Sequence, residues 1–337
     1  MIDAYFQHVI DSPNLVAEVH VKKTWLVTIM LIACVSLPAQ TPDTKTAPAA
    51  APPLKVTILG SGSGPRVNLQ RFGASILVET SMGDKLLFDC GRGFAQRLTE
   101  YGVSLGAVDK LFLTHLHSDH ILSIPDLLLV GWLEGRKTPL QVWGPAGTKR
   151  MMDYMGKTFE FDIRVRGDFD DRLTKAGILS SSTDIQEGVI YEENGVKVTA
   201  FLVDHGPVKP AFGYRVDYAG HSVAMSGDTR FSENLIKHSQ GVDLLIHEVS
   251  RLSPPNPKQT ERDRAQQEKI VRDLHTTAEQ TAVVFNRVKP RLAVYSHGGD
   301  SADLAEAQKT YSGPLEIGED LMTIEIGDQI AMKRRGK

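Results

Sequence analysis

From Leu54 onward the apolar positions fall into short runs closed by Gly, Pro and Asp. Leu54–Leu59 stops at Gly60-Ser61-Gly62-Ser63-Gly64-Pro65, and Ala74–Glu79 and Lys85–Phe88 flank the turn Met82-Gly83-Asp84. Such runs predict three successive strands, a β-meander. Helical spacing follows over Phe94–Tyr101, and the apolar strand Lys110–Thr114 then leads into His115-Leu116-His117-Ser118-Asp119-His120. The second half repeats the scheme. Val196–Val203 ends at Asp204-His205, Phe212–Tyr218 and Ser222–Met225 form a hairpin about Ala219-Gly220, and Ser226-Gly227-Asp228-Thr229 closes it. Asp243–Ile246 then ends at His247-Glu248. The charged stretch Pro254–Leu274 reads as a surface loop with a helix, Thr276-x-x-Glu279 as a capping box for a helix through Arg287, and Arg291–Tyr295 as a strand ending at Ser296-His297. Strands followed by helices in both halves predict an α/β protein of two mixed sheets packed face to face with helices outside, a four-layer αββα sandwich.

The segment before Leu54 has another character. Lys22 and Lys23 precede the apolar run Trp25–Leu37, too short to span a bilayer comfortably but suited to an export signal cleaved after Ala39. Leu31-Ile32-Ala33-Cys34 also reads as a lipobox, in which Cys34 would carry a lipid anchor. Gln40–Pro53 is rich in Pro, Ala and Thr without apolar periodicity, as in a tether. The expected organisation is a signal over 1–39, a linker over 40–53 and a catalytic body over 54–337, exported to the periplasm or beyond. A formal charge of −3, from 38 basic and 41 acidic residues, excludes a global electrostatic grip on nucleic acid. Cys34 and Cys90 are the only cysteines, which excludes a disulfide framework; Cys90 reads as a buried residue at a strand end.

Chemistry concentrates where the strands stop. His115, His117, Asp119 and His120 place four ligand-type side chains within six positions of a loop. Imidazole and carboxylate donors suit zinc, and burying several titratable groups without metal or partners is costly. The Gly60–Gly64 loop lacks the following helix of a dinucleotide site and reads as a tight turn near the metal. Trp132, Trp143 and Leu127–Leu133 read as core and pocket wall, with Trp132 a candidate substrate contact. His221 and His238 read as surface residues, and His247 as support behind the ligands.

His-x-His-x-Asp-His resembles the signature of the metallo-β-lactamase superfamily, and the similarity continues over residues 54–330 through His205, Asp228 and His297. Carried over, the resemblance implies that His115, His117 and His205 hold one ion, that Asp119, His120 and His297 hold the other, and that Asp228 bridges them. Two Zn²⁺ are expected, with Mn²⁺ or Fe²⁺ as substitutes, ionising a shared water that attacks an ester; Asp119 could also orient or deprotonate that nucleophile. Within the superfamily, Leu59-Gly60-Ser61-Gly62-Ser63-Gly64, Phe88-Asp89-Cys90-Gly91, Phe212-Gly213-Tyr214-Arg215, Ile246-His247-Glu248 and His275-Thr276-Thr277-x-Glu279-Gln280 resemble the branch of ribonuclease Z, related phosphodiesterases and zinc arylsulfatases.

In that branch the residues matching Glu248 and His275 pair beside the scissile phosphate, which implies that His275 is a general acid oriented by Glu248. The bland reading has His275 merely preceding a capped helix and Glu248 pairing with a surface base. Bacterial ribonuclease Z carries a long glycine- and lysine-rich arm for transfer RNA, and here only Ala219–Met225 separate the elements that flank it. The missing arm and the export signal therefore point away from tRNA and toward a small phosphodiester or sulfate ester. A ribonuclease Z-type endoribonuclease and a lactonase or β-lactamase are the alternatives. A homodimer is expected from the resemblance.

Overall fold

The computed structural model describes residues 53–251 and 260–336. The expected export signal, Cys34 and the tether up to residue 52 lie outside the described residues, as do residues 252–259, which include the start of the charged stretch. Among the described residues no helix is long and apolar enough to cross a membrane.

Among the described residues fifteen strands form two sheets. In the first, β1 (Leu54–Gly60), β2 (Ser75–Thr80) and β3 (Lys85–Phe88) make the expected meander, and β4 (Lys110–Phe112), β5 (Leu140–Gly144) and β6 (Ser180–Asp184) continue it in parallel. Two C-terminal strands, β14 (Met322–Ile326) and β15 (Ile330–Lys333), close its other edge. The second sheet runs from β7 (Gly188–Glu193) through β8 (Val196–His205), β9 (Val208–Tyr218) and β10 (His221–Met225) as antiparallel neighbours. It then turns parallel through β11 (Leu244–Val249), β12 (Leu292–Gly298) and β13 (Leu315–Ile317).

Alternation of side chains along each strand divides the apolar residues between two faces. Val56, Ile58, Val78, Phe88, Phe112, Phe212, Tyr214, Val223, Ile246 and Ile324 meet in the core between the sheets. Leu77, Leu87, Leu111 and Val142 face outward under α1 (Phe94–Tyr101), α3 (Ile124–Leu133) and α4 (Thr148–Thr158). Ala224, Leu245 and Ala293 face outward under α6 (Glu233–His238) and α8 (Ala278–Val288). The result is the predicted αββα sandwich.

Several local expectations change. The capping box of α8 is one residue later than expected: Thr277 caps Gln280, while the Thr276 hydroxyl donates to Thr229 O at 2.6 Å and is buried. Trp132 is a core residue of α3 whose indole N–H donates to Thr174 O, so it is not a substrate contact. His221 and His238 are half-buried rather than surface groups; His238 stacks on Phe201 and His221 pairs with Asp243.

Candidate metal centre

The parallel strands end on one edge of the sandwich, and so does β8, which is antiparallel to β9 and therefore parallel to β10. Carboxyl ends of parallel strands are where backbone leaves the sheet and side chains can converge. β4 delivers His115 and His117, and α2 (Ser118–Ile121) carries Asp119 and His120. β8 supplies His205, the turn after β10 Asp228, β11 Glu248 and β12 His297. The loop after β3 passes so close to α2 that a Cβ on Gly91 would stand 2.3 Å from Asp119 O, which reserves that position for glycine.

Asp228 is the hub. Its Oδ2 lies 3.9 Å from both His115 Nε2 and His205 Nε2, and its Oδ1 lies 3.4 Å from His120 Nε2 and 3.3 Å from His297 Nδ1. His117 Nδ1 approaches His205 Nε2 at 3.4 Å, and Asp119 Oδ2 is 3.3 Å from His297 Nε2. The expected ligand groups are thus brought together: His115, His117 and His205 form one cluster, Asp119, His120 and His297 another, and each set keeps its ligand atoms within 4.8 Å of one another. One oxygen of Asp228 faces each cluster.

The donors fit a divalent metal. His115 Nε2, His120 Nε2 and Asp228 Oδ1 are buried without a hydrogen-bond partner in the protein. An unmatched buried polar atom costs about 1–3 kcal/mol, so three at one point call for a cation. Burial and the neighbouring His120 charge hold the His115 imidazole well below its usual range, which leaves it neutral, the form that ligates. Burial would raise the Asp228 carboxyl, but the His297 and His120 charges hold it well below the carboxylate range. For Asp119 the same opposition ends in a lowered value, through the His297 hydrogen bond.

Behind the ligands stand groups whose roles sequence reasoning missed. Asp89, just past β3 with φ 57°, accepts from Thr114 N and Thr114 Oγ1 at 2.8 Å each and from His120 Nδ1 at 2.7 Å. It therefore fixes the His120 tautomer with Nε2 toward Asp228. Its signal was an acid at a strand end, the same signal that marked Asp228. His205 is fixed similarly, with Nδ1 donating to Leu274 O at 2.9 Å at the end of α7 (Glu261–Leu274). Orienting partners of this kind contribute about 10–100-fold in metal affinity. Asp89→Asn is accordingly expected to weaken zinc retention by about that factor in a chelator competition, with the fold intact by circular dichroism.

Glu248 is buried, accepts from Thr229 N at 2.6 Å, and takes His275 Nδ1 at 2.9 Å. The reading of Glu248 as partner of a surface base is therefore overturned. Burial alone would lower the His275 imidazole, but the Glu248 carboxylate raises it to about 9, keeping it protonated at neutral pH. His247, expected behind the ligands, points to the other face of β11. Its Nδ1 lies 2.6 Å from Glu248 O, its ring meets Phe285 edge-on, and burial lowers it to about 4. A cleft of about 260 Å³ opens over the ligands, walled by Ser63, Gly64, Pro65, Ile270, Leu274 and His275.

These features define a metal-dependent hydrolase, and comparison with known proteins agrees. The family model described as "Beta-lactamase superfamily domain" matches residues 84–298. A protein named Ribonuclease Z from Mycolicibacterium gilvum (strain PYR-GCK) is 33% identical over 295 residues, an alignment covering 84% of this chain and 100% of that one. Among solved structures, the short form of human tRNase Z (ELAC1) superposes with a TM-score of 0.60 at 22% identity, covering 81% of this chain and 99% of the other. The metallo-β-lactamase fold protein YhfI from Bacillus subtilis superposes with a TM-score of 0.59 at 21% identity, covering 80% and 98%. The chain belongs to the metallo-β-lactamase superfamily, in its ribonuclease Z branch.

Proposed function

We propose that the chain is a two-zinc phosphodiesterase that cleaves RNA as a ribonuclease Z-type endoribonuclease. The observation that carries this reading is the pairing of Glu248 with His275 at 2.9 Å on the rim of a ligand set whose hub, Asp228, turns one oxygen to each cluster. Lactonases and β-lactamases need no such dyad. His115, His117 and His205 would hold one ion and Asp119, His120 and His297 the other, with Asp228 shared. When bound, such a pair supplies positive charge to the phosphoryl oxygens and acidifies water. The chain's own groups do the rest. Asp119, which also lines the cleft beside His297, accepts a proton from the attacking water or holds that water in line. His275 Nδ1 is committed to Glu248, so Nε2 is the atom left to protonate the departing ribose oxygen.

The lack of an arm does not oppose RNA as substrate. The β9–β10 connection is a two-residue turn, Ala219-Gly220, with both residues at positive φ. Yet the M. gilvum relative named Ribonuclease Z is aligned over its whole length within 295 residues, which leaves no room for a long inserted arm. The expectation against tRNA, built on that missing arm, loses its main support.

A second reading, an exported hydrolase of small phosphodiesters or sulfate esters, is favoured by the lysines and apolar run of 22–37, and by the size of the cleft, near the lower end of ordinary ligand pockets. A panel separates the two: a tRNA precursor with a 3′ trailer, bis-p-nitrophenyl phosphate, p-nitrophenyl sulfate and a homoserine lactone. Both phosphodiesters are expected to be cleaved, with the precursor cut to a 3′-hydroxyl and preferred in kcat/KM by about 100-fold or more, as binding beyond the reacting phosphate would supply. Cleavage of the small diester alone would select the second reading. Preference for the sulfate or the lactone would remove phosphodiester hydrolysis from the account.

A further inference from the structure

His297 does not sit in the regular ladder of its strand. Glu248 pairs with Ser296 and Val249 with Gly298, so His297 is the extra residue of a β-bulge, with φ 52°. Gly298 and Gly299 follow at φ 114° and 84°. A bulge re-aims a side chain, and this one brings the His297 ring between Asp228 Oδ1 and Asp119 Oδ2, 3.3 Å from each. Left-handed backbone at a non-glycine residue persists only where surrounding structure holds it.

The group that holds it comes from far away in sequence. Arg71 donates from Nη1 to Gly299 O at 2.7 Å and from Nη2 to Gly298 O at 2.7 Å, Ser61 O at 3.0 Å and Gly318 O at 3.1 Å, while Nε donates to Ser61 Oγ at 3.0 Å. All of these acceptors are neutral oxygens. The Asp320 carboxylate completes the knot, accepting from Ser61 N, Ser61 Oγ, Phe72 N and Arg97 Nε between 2.8 and 3.0 Å. A planar guanidinium fork meets two successive carbonyls in a way an ammonium cannot. The same knot anchors the glycine loop whose Ser63, Gly64 and Pro65 wall the cleft.

We propose that Arg71 is a positioning residue for the metal centre: by clamping the Gly298 and Gly299 carbonyls it keeps the His297 bulge in its left-handed form and the imidazole aimed at the Asp119–His120 cluster. This rests on the reading of His297 as a zinc ligand, and wild-type zinc content tests that reading separately.

The experiment is a double-mutant cycle on zinc affinity, measured by competition with a chromophoric chelator on the purified full chain. Its members are wild type, Arg71→Met, His297→Ala and the double variant. Arg71→Lys serves as a milder change should the methionine variant fold poorly. Arg136→Met is the structural control, because Arg136 likewise donates to backbone carbonyls, those of Leu127, Leu128 and Gly177, none in a ligand loop. Arg71→Met is expected to weaken the Asp119–His120–His297 ion about tenfold or more, Arg71→Lys by less, and the double variant no further than His297→Ala alone, as for two changes acting through one group. Arg136→Met is expected to lower the melting temperature of the metal-free protein with zinc affinity unchanged. Affinity within about twofold of wild type in both Arg71 variants, or losses at Arg71 and His297 that multiply, would overturn the proposal. A wild-type protein that takes up no zinc would remove the ligand reading itself.

Discussion

Asp228→Ala is expected to reduce hydrolysis of every substrate to about a thousandth or less and to lower zinc content together with it. Asp228 is buried, and its two oxygens face opposite clusters at 3.3–3.9 Å, so among the described residues its removal is the one that takes a carboxylate oxygen from each. The alanine variant would leave His115, His120, His205 and His297 around a position with no negative charge, and cations placed there would repel one another unscreened. Charge stabilisation by bound metal amounts to several kcal/mol in such reactions, and each 1.36 kcal/mol is tenfold in rate, which sets the scale of the loss. Metal analysis beside the activity assay checks it. A variant that kept both its zinc and a tenth of its activity would show that Asp228 is not the shared ligand.

His275→Ala should separate chemistry from metal binding. The residue hydrogen-bonds Glu248 and walls the cleft, so its loss is expected to leave zinc content near that of wild type. A general acid contributes about 10²- to 10⁴-fold where the leaving oxygen is a poor one, such as a ribose hydroxyl. The loss should be far smaller with bis-p-nitrophenyl phosphate, whose phenolate departs without a proton. The pH profile supplies a second check. With its value raised to about 9 by Glu248, His275 is protonated below that point, so kcat on RNA should be flat through neutrality and fall as pH rises through it. Bound cations repel that proton and would move the falling limb to lower pH. The alanine variant should lack the limb. Equal losses on both substrates, or no loss on either, would remove His275 from the role of acid.

The sequence made the framework and the ligands legible for one reason: apolar runs stop abruptly at Asp, Gly and His, and in this fold the strand ends are the site. Asp89 carried that same signal within Phe88-Asp89-Cys90-Gly91 but gave no hint of its partner, since Thr114 and His120 reach it only after β3 and β4 align. Arg71 was less visible still, because the Gly298 and Gly299 carbonyls it clamps lie more than two hundred residues away. β6 reads Ser-Ser-Ser-Thr-Asp and offers no apolar period, while helix α5 (Glu160–Phe169) buries no residue and its Phe161, Ile163 and Val165 alternate as in a strand rather than at helical spacing. Thr276 looked like a helix cap because Glu279 stands three residues on; the tertiary bond to Thr229 O took its hydroxyl and passed the cap to Thr277. Trp132 is the core residue that the apolar run around it implies, and only its subsidiary reading as a substrate contact fails.

The convergence of His115, His117, Asp119, His120, His205, Asp228 and His297 on divalent ions is the claim on which the rest depends. Anomalous diffraction above and below the zinc edge, from crystals grown with zinc, tests it most directly. The account predicts two peaks on either side of the Asp228 carboxylate, one among His115, His117 and His205 and one among Asp119, His120 and His297. A map without anomalous signal beside Asp228, or with its peaks bound elsewhere on the chain, would contradict it.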